Sequence, residues 1–502
     1  MQTLRHSLLT LLAAACTLTV SAQSPAPSKT EAATEAKASS VPALFLSDIH
    51  LDPFADPAKV AKLNAAHAAE WPAILSAPNS PTQADAFAAL QEACPTRGID
   101  TPYALWRSSL SAIHADASQV RFVTLSGDLL AHSFDCKFQM LLPAAKPADY
   151  LAFTEKTVRT IVSTLRAALP GVPVYVAMGN NDSGCGDYQL DAAHDTFLGL
   201  VAKVVAESLP VEERAAVLRD FAAGGYYNVP LAGVAHTRLL VIDDLFFSGK
   251  YTTCSGKSDP APAAAQLAWL AEQLASARQQ HEQVWVMGHI PPGVNVYASA
   301  RKNANVCAGA EPQMFLSSES LAELLARNAD VVRLALFGHT HGDEMRLLTS
   351  DSNPTSPSSS PAHASSQSHT GVPLKIVASI TPINGNRPTF TVTSIDPTTA
   401  TLTDYSVFMA SNSTGTGTTW SKEYTYSTTY QQRAYDAVAL MRLVPTLQSD
   451  HAAKTAASQA YLRNYFPGDN SSAIHFAWPQ YACSLDHDSA RGFTACACGT
   501  TK

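Results

Sequence analysis

Five short polar motifs, each ending an apolar run, carry the chemistry open to this chain: Ser47-Asp48-Ile49-His50, Gly127-Asp128, Gly179-Asn180-Asn181-Asp182, Gly288-His289 and Gly338-His339-Thr340-His341. Any one of them alone reads as a hydrogen-bonded turn. Asp48 and His50 stand at positions i and i+2 of an extended chain, so their side chains point the same way. Taken together the motifs bring two aspartates, one asparagine and four histidines to strand ends, a mixed nitrogen and oxygen donor set suited to zinc, iron or manganese. The glycines beside four of the motifs let the backbone turn sharply into a shared site.

The order Asp-x-His, Gly-Asp, Gly-Asn-x-Asp, Gly-His, Gly-His-Thr-His resembles that of the calcineurin-like binuclear metallophosphoesterases. Gly127-Asp128-Leu129-Leu130-Ala131-His132, Gly288-His289-Ile290-Pro291-Pro292-Gly293, Asp343-Glu344 and Ser379-Ile380-Thr381-Pro382 are similar to the acid sphingomyelinase and endopolyphosphatase-like branch. The resemblance implies an α/β fold: a β-sandwich core flanked by helices in four layers, α/β/β/α, with a small C-terminal helical cap. It also implies one divalent ion held by Asp48, His50 and His341, a second held by Asn180, His289 and His339, and Asp128 bridging the two. Zinc is the favoured ion, iron or manganese the alternatives. A bridging carboxylate can hold two dications at ~3.5–4 Å, the spacing that clamps the attacking and leaving oxygens of an in-line displacement by a shared hydroxide.

The chain departs from the commonest family pattern at one place. Where many members have Gly-Asn-His, it has Gly179-Asn180-Asn181. An amide cannot supply a proton, but it donates hydrogen bonds, so Asn181 is expected to contact a phosphoryl oxygen. The resemblance then makes His132, four residues past Asp128, the group that protonates the leaving oxygen; the alternative is a histidine that orients phosphate or a carboxylate behind it. Asp182 is expected to orient a ligand and not to bind metal itself. Asp243-Asp244 reads either as a pair behind the ligands or as a plain strand end.

Strands expected at Val41–Ser47, Val120–Ser126, Val172–Met178, Arg238–Ile242, Val284–Met287 and Val332–Phe337 must position these residues. Helical patterns over Tyr150–Leu169 and Ala263–Ala277 alternate with them, which is the signature of an α/β domain with its site at strand carboxyl ends. Further strands are expected at Lys375–Ser379 and Phe390–Ile395, an edge hairpin over Thr399–Phe408, and helices over Tyr430–Leu447 and Ala456–Tyr465. The expected organisation is a domain over 41–410, interrupted by a Ser/Pro-rich mobile insertion at 350–370, and a C-terminal cap over 411–502.

Composition bounds the function. In 502 residues, 34 Lys and Arg against 42 Asp and Glu give a net charge of −8, which disfavours nucleic acid as the main partner. Arg5 and His6, the apolar run Leu8–Val20 and the small residues Ser21-Ala22 before Gln23 read as a secretory leader over 1–22. Residues 23–40 read as a flexible tether. Cleavage near Ala22 removes Cys16 and leaves eight cysteines, an even number that suits disulfides in a secreted or periplasmic protein. Cys254 and Cys307 flank the Gly288–Gly293 loop, so a bridge between them is one way to brace it, and Cys483, Cys496 and Cys498 are placed to fasten the tail.

No window is long enough to insert stably in a membrane. Sphingomyelin-cleaving members of the branch carry a saposin-like segment before the catalytic domain, where this chain has only the short tether. The expected activity is therefore hydrolysis of a soluble phosphodiester or phosphoanhydride, such as a nucleotide, polyphosphate or phosphocholine-type diester. A catalytically silent metal-binding protein and a sphingomyelin phosphodiesterase are the alternatives. The acidic balance limits how a long polyphosphate could be held unless a local basic channel compensates.

Overall fold

Among the described residues twelve strands, numbered in chain order, build two six-stranded sheets: β1 (Val41–Leu46), β2 (Val123–Ser126), β3 (Val174–Ala177), β4 (Tyr227–Pro230), β5 (Thr237–Val241), β6 (Gln283–Met287), β7 (Val332–Phe337), β8 (Glu344–Leu348), β9 (Val372–Ile376), β10 (Thr389–Ile395), β11 (Leu402–Ala410) and β12 (Trp420–Thr425). This computed structural model describes residues 40–192, 196–302, 305–350, 371–468 and 472–499. The expected leader at 1–22, the tether up to residue 39 and the insertion from 351 to 370 lie outside the described residues.

The first sheet has the order β12-β11-β10-β1-β2-β3 and the second β4-β5-β6-β7-β9-β8. In the first, β1, β2 and β3 run parallel to one edge while β10, β11 and β12 add on the other side through antiparallel pairs; in the second, β5, β6, β7 and β9 run parallel and antiparallel β4 and β8 close the edges. The parallel steps are made by helices: Pro147–Ala168 lies between β2 and β3, Ala261–Gln279 between β5 and β6, and Ser320–Arg327 between β6 and β7. Strand residues alternate between two cores. Leu239, Trp285, Leu334 and Leu336 face the first sheet, whereas Leu240, Val284, Val286 and Ala335 pack with Leu270, Leu274 and Leu325 of the covering helices.

The two inner faces meet around Trp285. Its ring stands edge-to-face against Phe45 and Phe122, with centroids 6.0 Å away in both cases, and its indole N–H donates to the Ala400 carbonyl at 2.8 Å. A second stitch follows β9. The strand expected over Lys375–Ser379 leaves its ladder after Ile376, because Val377 N–H donates to Phe337 of the second sheet while Ile380 and Thr381 N–H donate to Ser47 and Asp48 of the first.

Two more expectations need correcting. The segment read as an edge hairpin over Thr399–Phe408 is interior, since β11 pairs with both β10 and β12. The true edge, β12, reads Trp-Ser-Lys-Glu-Tyr-Thr and buries only Tyr424, so its sequence has little apolar alternation. It also carries the first sheet past residue 410. The helix expected over Tyr430–Leu447 is two, Tyr426–Tyr430 and Ala437–Ser449, because Gln431 takes a left-handed conformation (φ 55°). Helices Ala456–Tyr465, Gln480–Cys483 and Ala490–Gly499 complete the C-terminal region. Tyr465 and Tyr481 fasten it to the second sheet by donating to the buried carboxylate of Glu344, which also holds Arg346 at 2.9 Å.

Trp285→Ala is expected to destabilise the protein by about 3–5 kcal/mol, through the cavity it leaves between the sheets and the unpaired Ala400 carbonyl. Chemical denaturation measures this.

Candidate binuclear metal centre

The five motifs follow the carboxyl ends of five parallel strands, β1, β2 and β3 of one sheet and β6 and β7 of the other. Their side chains therefore meet at the seam between the sheets. Five of the seven expected ligands sit in the left-handed region: Asp48 (φ 47°), His50 (44°), Asp128 (54°), His339 (73°) and His341 (63°). Each costs roughly 1 kcal/mol or more relative to ordinary backbone, and such residues persist where surrounding contacts over-determine them. The glycines make room. A side chain at Gly179 would collide with the backbone and carboxylate of Asp128, and Gly127 has φ 84°.

The seven side chains converge. His289 Nε2 lies 3.2 Å from Asp128 Oδ2 and 3.2 Å from Asn180 Oδ1, and His339 Nδ1 lies 2.8 Å from the same Asn180 oxygen. On the other side of Asp128, His50 Nε2 is 3.4 Å from its Oδ2, and His341 Nε2 is 3.3 Å from Asp48 Oδ1. Donor atoms of Asp48, His50 and Asp128 lie within 4.8 Å of one another, as do those of Asp128, His289 and His339.

The orientation of each group suits a cation. His50 and His289 spend Nδ1–H on the Leu130 and Ser126 carbonyls, both at 2.8 Å, which leaves Nε2 as the free donor. The amide of Asn180 donates to Asp187 at 2.8 Å, which turns its oxygen inward. His50 Nε2 and His341 Nδ1 are buried with no hydrogen-bond partner. The unpaired His50 Nε2 faces two buried carboxylates, Asp48 at 3.9 Å and Asp128 at 3.4 Å, a setting that two divalent ions would complete, and the residues present fit such a pair.

Charge in the site is strongly perturbed. Burial would lower the imidazoles of His50 and His289, but the surrounding carboxylates, Asp128 foremost and Asp48 with it, together outweigh burial and raise them to about 9 and about 10. His339 and His341 follow burial instead and fall to about 3 and about 4, His339 further opposed by the neighbouring His289. Burial opposes the charged forms of Asp48 and Asp128, yet the facing imidazoles hold both below the usual carboxylate range.

Behind the ligands lie carboxylates that hold backbone. Asp182 accepts from the N–H groups of Leu129, Leu130 and Gly179 at 2.8–3.0 Å, tying the β2 and β3 motifs together. Asp244 accepts from His289 and Ile290 N–H at 2.8 and 2.9 Å, so the second aspartate of the Asp243-Asp244 pair supports a ligand loop. Burial raises both groups to about 7. Asn181 engages Asp128 twice, through its backbone N–H at 2.8 Å and its side-chain amide at 2.9 Å.

His132 stacks on His50 with ring centroids 4.1 Å apart and keeps 31% of its side chain exposed toward the cavity above the site. Its Nδ1 lies 3.0 Å from Asp100 Oδ1, and its backbone N–H donates to Asp100 Oδ2 at 2.8 Å. Sequence reasoning missed Asp100. It belongs to a loop with no periodic pattern, brought alongside by mutual backbone bonds: Asp52 N–H to the Thr101 carbonyl and Thr101 N–H to the His50 carbonyl. Burial would raise the Asp100 carboxyl, but His132, His50 and the buried Lys137 hold it well below the usual range. Lys137 in turn is paired with Asp52 at 2.8 Å.

The disulfides differ in part from expectation. Cys254 pairs with Cys185 and not with Cys307, because Tyr188–Leu190 and Thr252 exchange backbone hydrogen bonds that bring those two loops together. The Asn180 loop is thus the one braced. Cys307 bonds Cys498, and Cys483 bonds Cys496, so the tail cysteines fasten the C-terminal helices; Cys94–Cys136 links the Asp100 loop to the helix carrying Lys137.

Known proteins are similar to this chain in sequence. The chain is 24% identical over 257 residues to the sphingomyelinase phosphodiesterase C of Dictyostelium discoideum (51% of this chain, 50% of that protein). It is also 24% identical over 253 residues to bovine cyclic GMP-AMP phosphodiesterase SMPDL3A (50% and 49%), so it spans about half the length of these two relatives. With the human acid sphingomyelinase-like phosphodiesterase 3b it shares 24% over 427 residues, 80% of this chain and 82% of the relative. The family model for calcineurin-like phosphoesterases matches residues 41–343, a span that holds all seven converging ligands, and the chain belongs to that family.

Proposed function

We propose that the protein is a secreted phosphodiesterase that uses two divalent ions, zinc favoured, to hydrolyse a small soluble phosphodiester or phosphoanhydride. The observation that carries this reading is the convergence of two carboxylates, one amide oxygen and four imidazoles, with His50 Nε2 buried and unpaired, beside an open cavity that Asp128, Asn180, His339 and His341 line. Four imidazoles in a mixed nitrogen and oxygen set favour zinc. Secretion is supported by four disulfides and the leader-like N-terminus. Among the described residues no helix is long and apolar enough to cross a membrane.

Asp48, His50, Asp128, Asn180, His289, His339 and His341 would hold the ions, which when bound would supply neutralisation of phosphate charge and a water acidic enough to act as a nucleophile near neutral pH. The remaining work falls to side chains. Asp100 occupies Nδ1 of His132, so Nε2 is the atom left to give a proton to the departing oxygen, and the carboxylate stabilises the imidazolium before transfer. Asn181 fixes the Asp128 carboxylate with one amide proton and offers the other to a phosphoryl oxygen. Arg97, Lys250, Arg301 and Lys302 line the cavity and supply local positive charge to an anionic substrate that the net charge of the chain would repel. The cyclic GMP-AMP activity named for SMPDL3A is compatible with this class of soluble substrate.

Chelation is expected to abolish hydrolysis of bis(p-nitrophenyl) phosphate, and Asp128→Asn to lose bound metal and turnover together. Full activity in the chelated protein would contradict the reading. His132→Ala should lower kcat on a substrate with a poor leaving group by about 10²–10⁴-fold with metal content unchanged. Asp100→Asn should cost ~10–100-fold in kcat with little change in KM. Unchanged turnover in His132→Ala removes the acid assignment.

A further inference from the structure

The cavity above the metal centre has a volume of about 1780 Å³, and two aromatic rings stand at its wall without being buried. Among the described residues, the exposed large apolar side chains include only two aromatics, Tyr297 at 38% and Phe476 at 58% exposure. Both line this cavity, together with His339 and Asn180 of the site. They meet each other at a centroid distance of 6.2 Å and an interplanar angle of 72°. The guanidinium of Arg301 lies over the Tyr297 ring at 5.7 Å.

The pair is assembled from distant parts of the chain. Tyr297 is on the short helix Val296–Arg301, just after the Gly288–Gly293 ligand loop, and Phe476 is in the C-terminal region. The disulfide Cys307–Cys498 joins the stretch following that short helix to the last helix, which keeps the two halves together. An exposed phenyl ring costs hydration free energy, and here the cost is concentrated where a bound molecule would cover it.

We propose that Phe476 and Tyr297 are the specificity residues for a flat heterocyclic group, a nucleobase, carried by the phosphate substrate. This deepens the soluble-phosphodiester reading above and rests on it for the identity of the cavity floor. Two rings stand exposed at this wall with a guanidinium over one of them, and nucleobases stack on both kinds of surface; the exposed aliphatic Ile99 also lines the cavity. Asn295, Thr340 and Ser413 also line the cavity, which suits a sugar and a phosphate better than an alkyl chain. Base stacking on one aromatic ring is worth roughly 5- to 150-fold in affinity.

The test measures binding, so its answer does not depend on turnover. Adenosine 5′-monophosphate and ribose 5-phosphate, which differ by the base alone, are titrated calorimetrically into the zinc-loaded protein. The wild type is expected to bind the nucleotide at least about tenfold more tightly. Phe476→Ala and Tyr297→Ala should each shrink that ratio several-fold, and Phe476→Tyr should preserve it. Both positions are exposed, so unchanged thermal melting is expected of all three variants. Equal affinities in the wild type, or an unchanged ratio in both alanine variants, would overturn the proposal. Phe476-dependent binding to phosphatidylcholine–phosphatidylserine vesicles without any preference for the nucleotide would overturn it in favour of a lipid-facing surface. Tight nucleotide binding with no hydrolysis of any phosphodiester would leave the base platform standing and remove the catalytic reading.

Discussion

Two carboxylates buried against four imidazoles at the junction of two sheets set the terms for the rest of this structure. Asp48 and Asp128 are almost wholly shielded from water, and isolated charges there would be prohibitively costly. The site surrounds them with nitrogen donors, and five of the seven converging residues, both carboxylates and three of the imidazoles, are bent into left-handed backbone. Such strain persists where surrounding contacts over-determine it, and it concentrates here on the groups proposed to hold cations.

Strained ligands stay in place because a second layer holds their backbones. Asp182 gathers N–H groups from the loops after β2 and β3, and Asp244 does the same for the loop after β6. The crossing of Val377–Thr381 from one sheet to the other stitches the seam from below. Asp100 extends the same logic outward: it touches no expected ligand side chain by hydrogen bond, yet it fixes the ring of His132, which stacks on His50. The converging side chains and His132 are therefore one connected assembly held by buried carboxylates that accept backbone N–H groups.

The strand-borne part of this assembly was legible in the sequence. Asp48, Asp128, His289 and the Gly338–His341 motif each end a short apolar run, and the fold brings strand carboxyl ends together, so local pattern and position coincide. Asp100 was not legible, because it reaches the site through a loop held by tertiary backbone bonds and ends no apolar strand that would mark it. The partner of Cys254 was hidden for the same reason. The edge strand β12 escaped because its polar sequence lacks the alternation that a half-buried strand shows. Phe476 lies far along the chain from every motif, and only the folded C-terminal region brings it to the cavity.

The central claim, that these seven side chains form one centre for two ions, is tested most directly by counting metal. Zinc-loaded protein freed of excess ion by dialysis and measured by inductively coupled plasma mass spectrometry should hold two ions per chain, and Asn180→Ala should hold fewer. A folded wild-type protein that retains one ion or none would contradict the account.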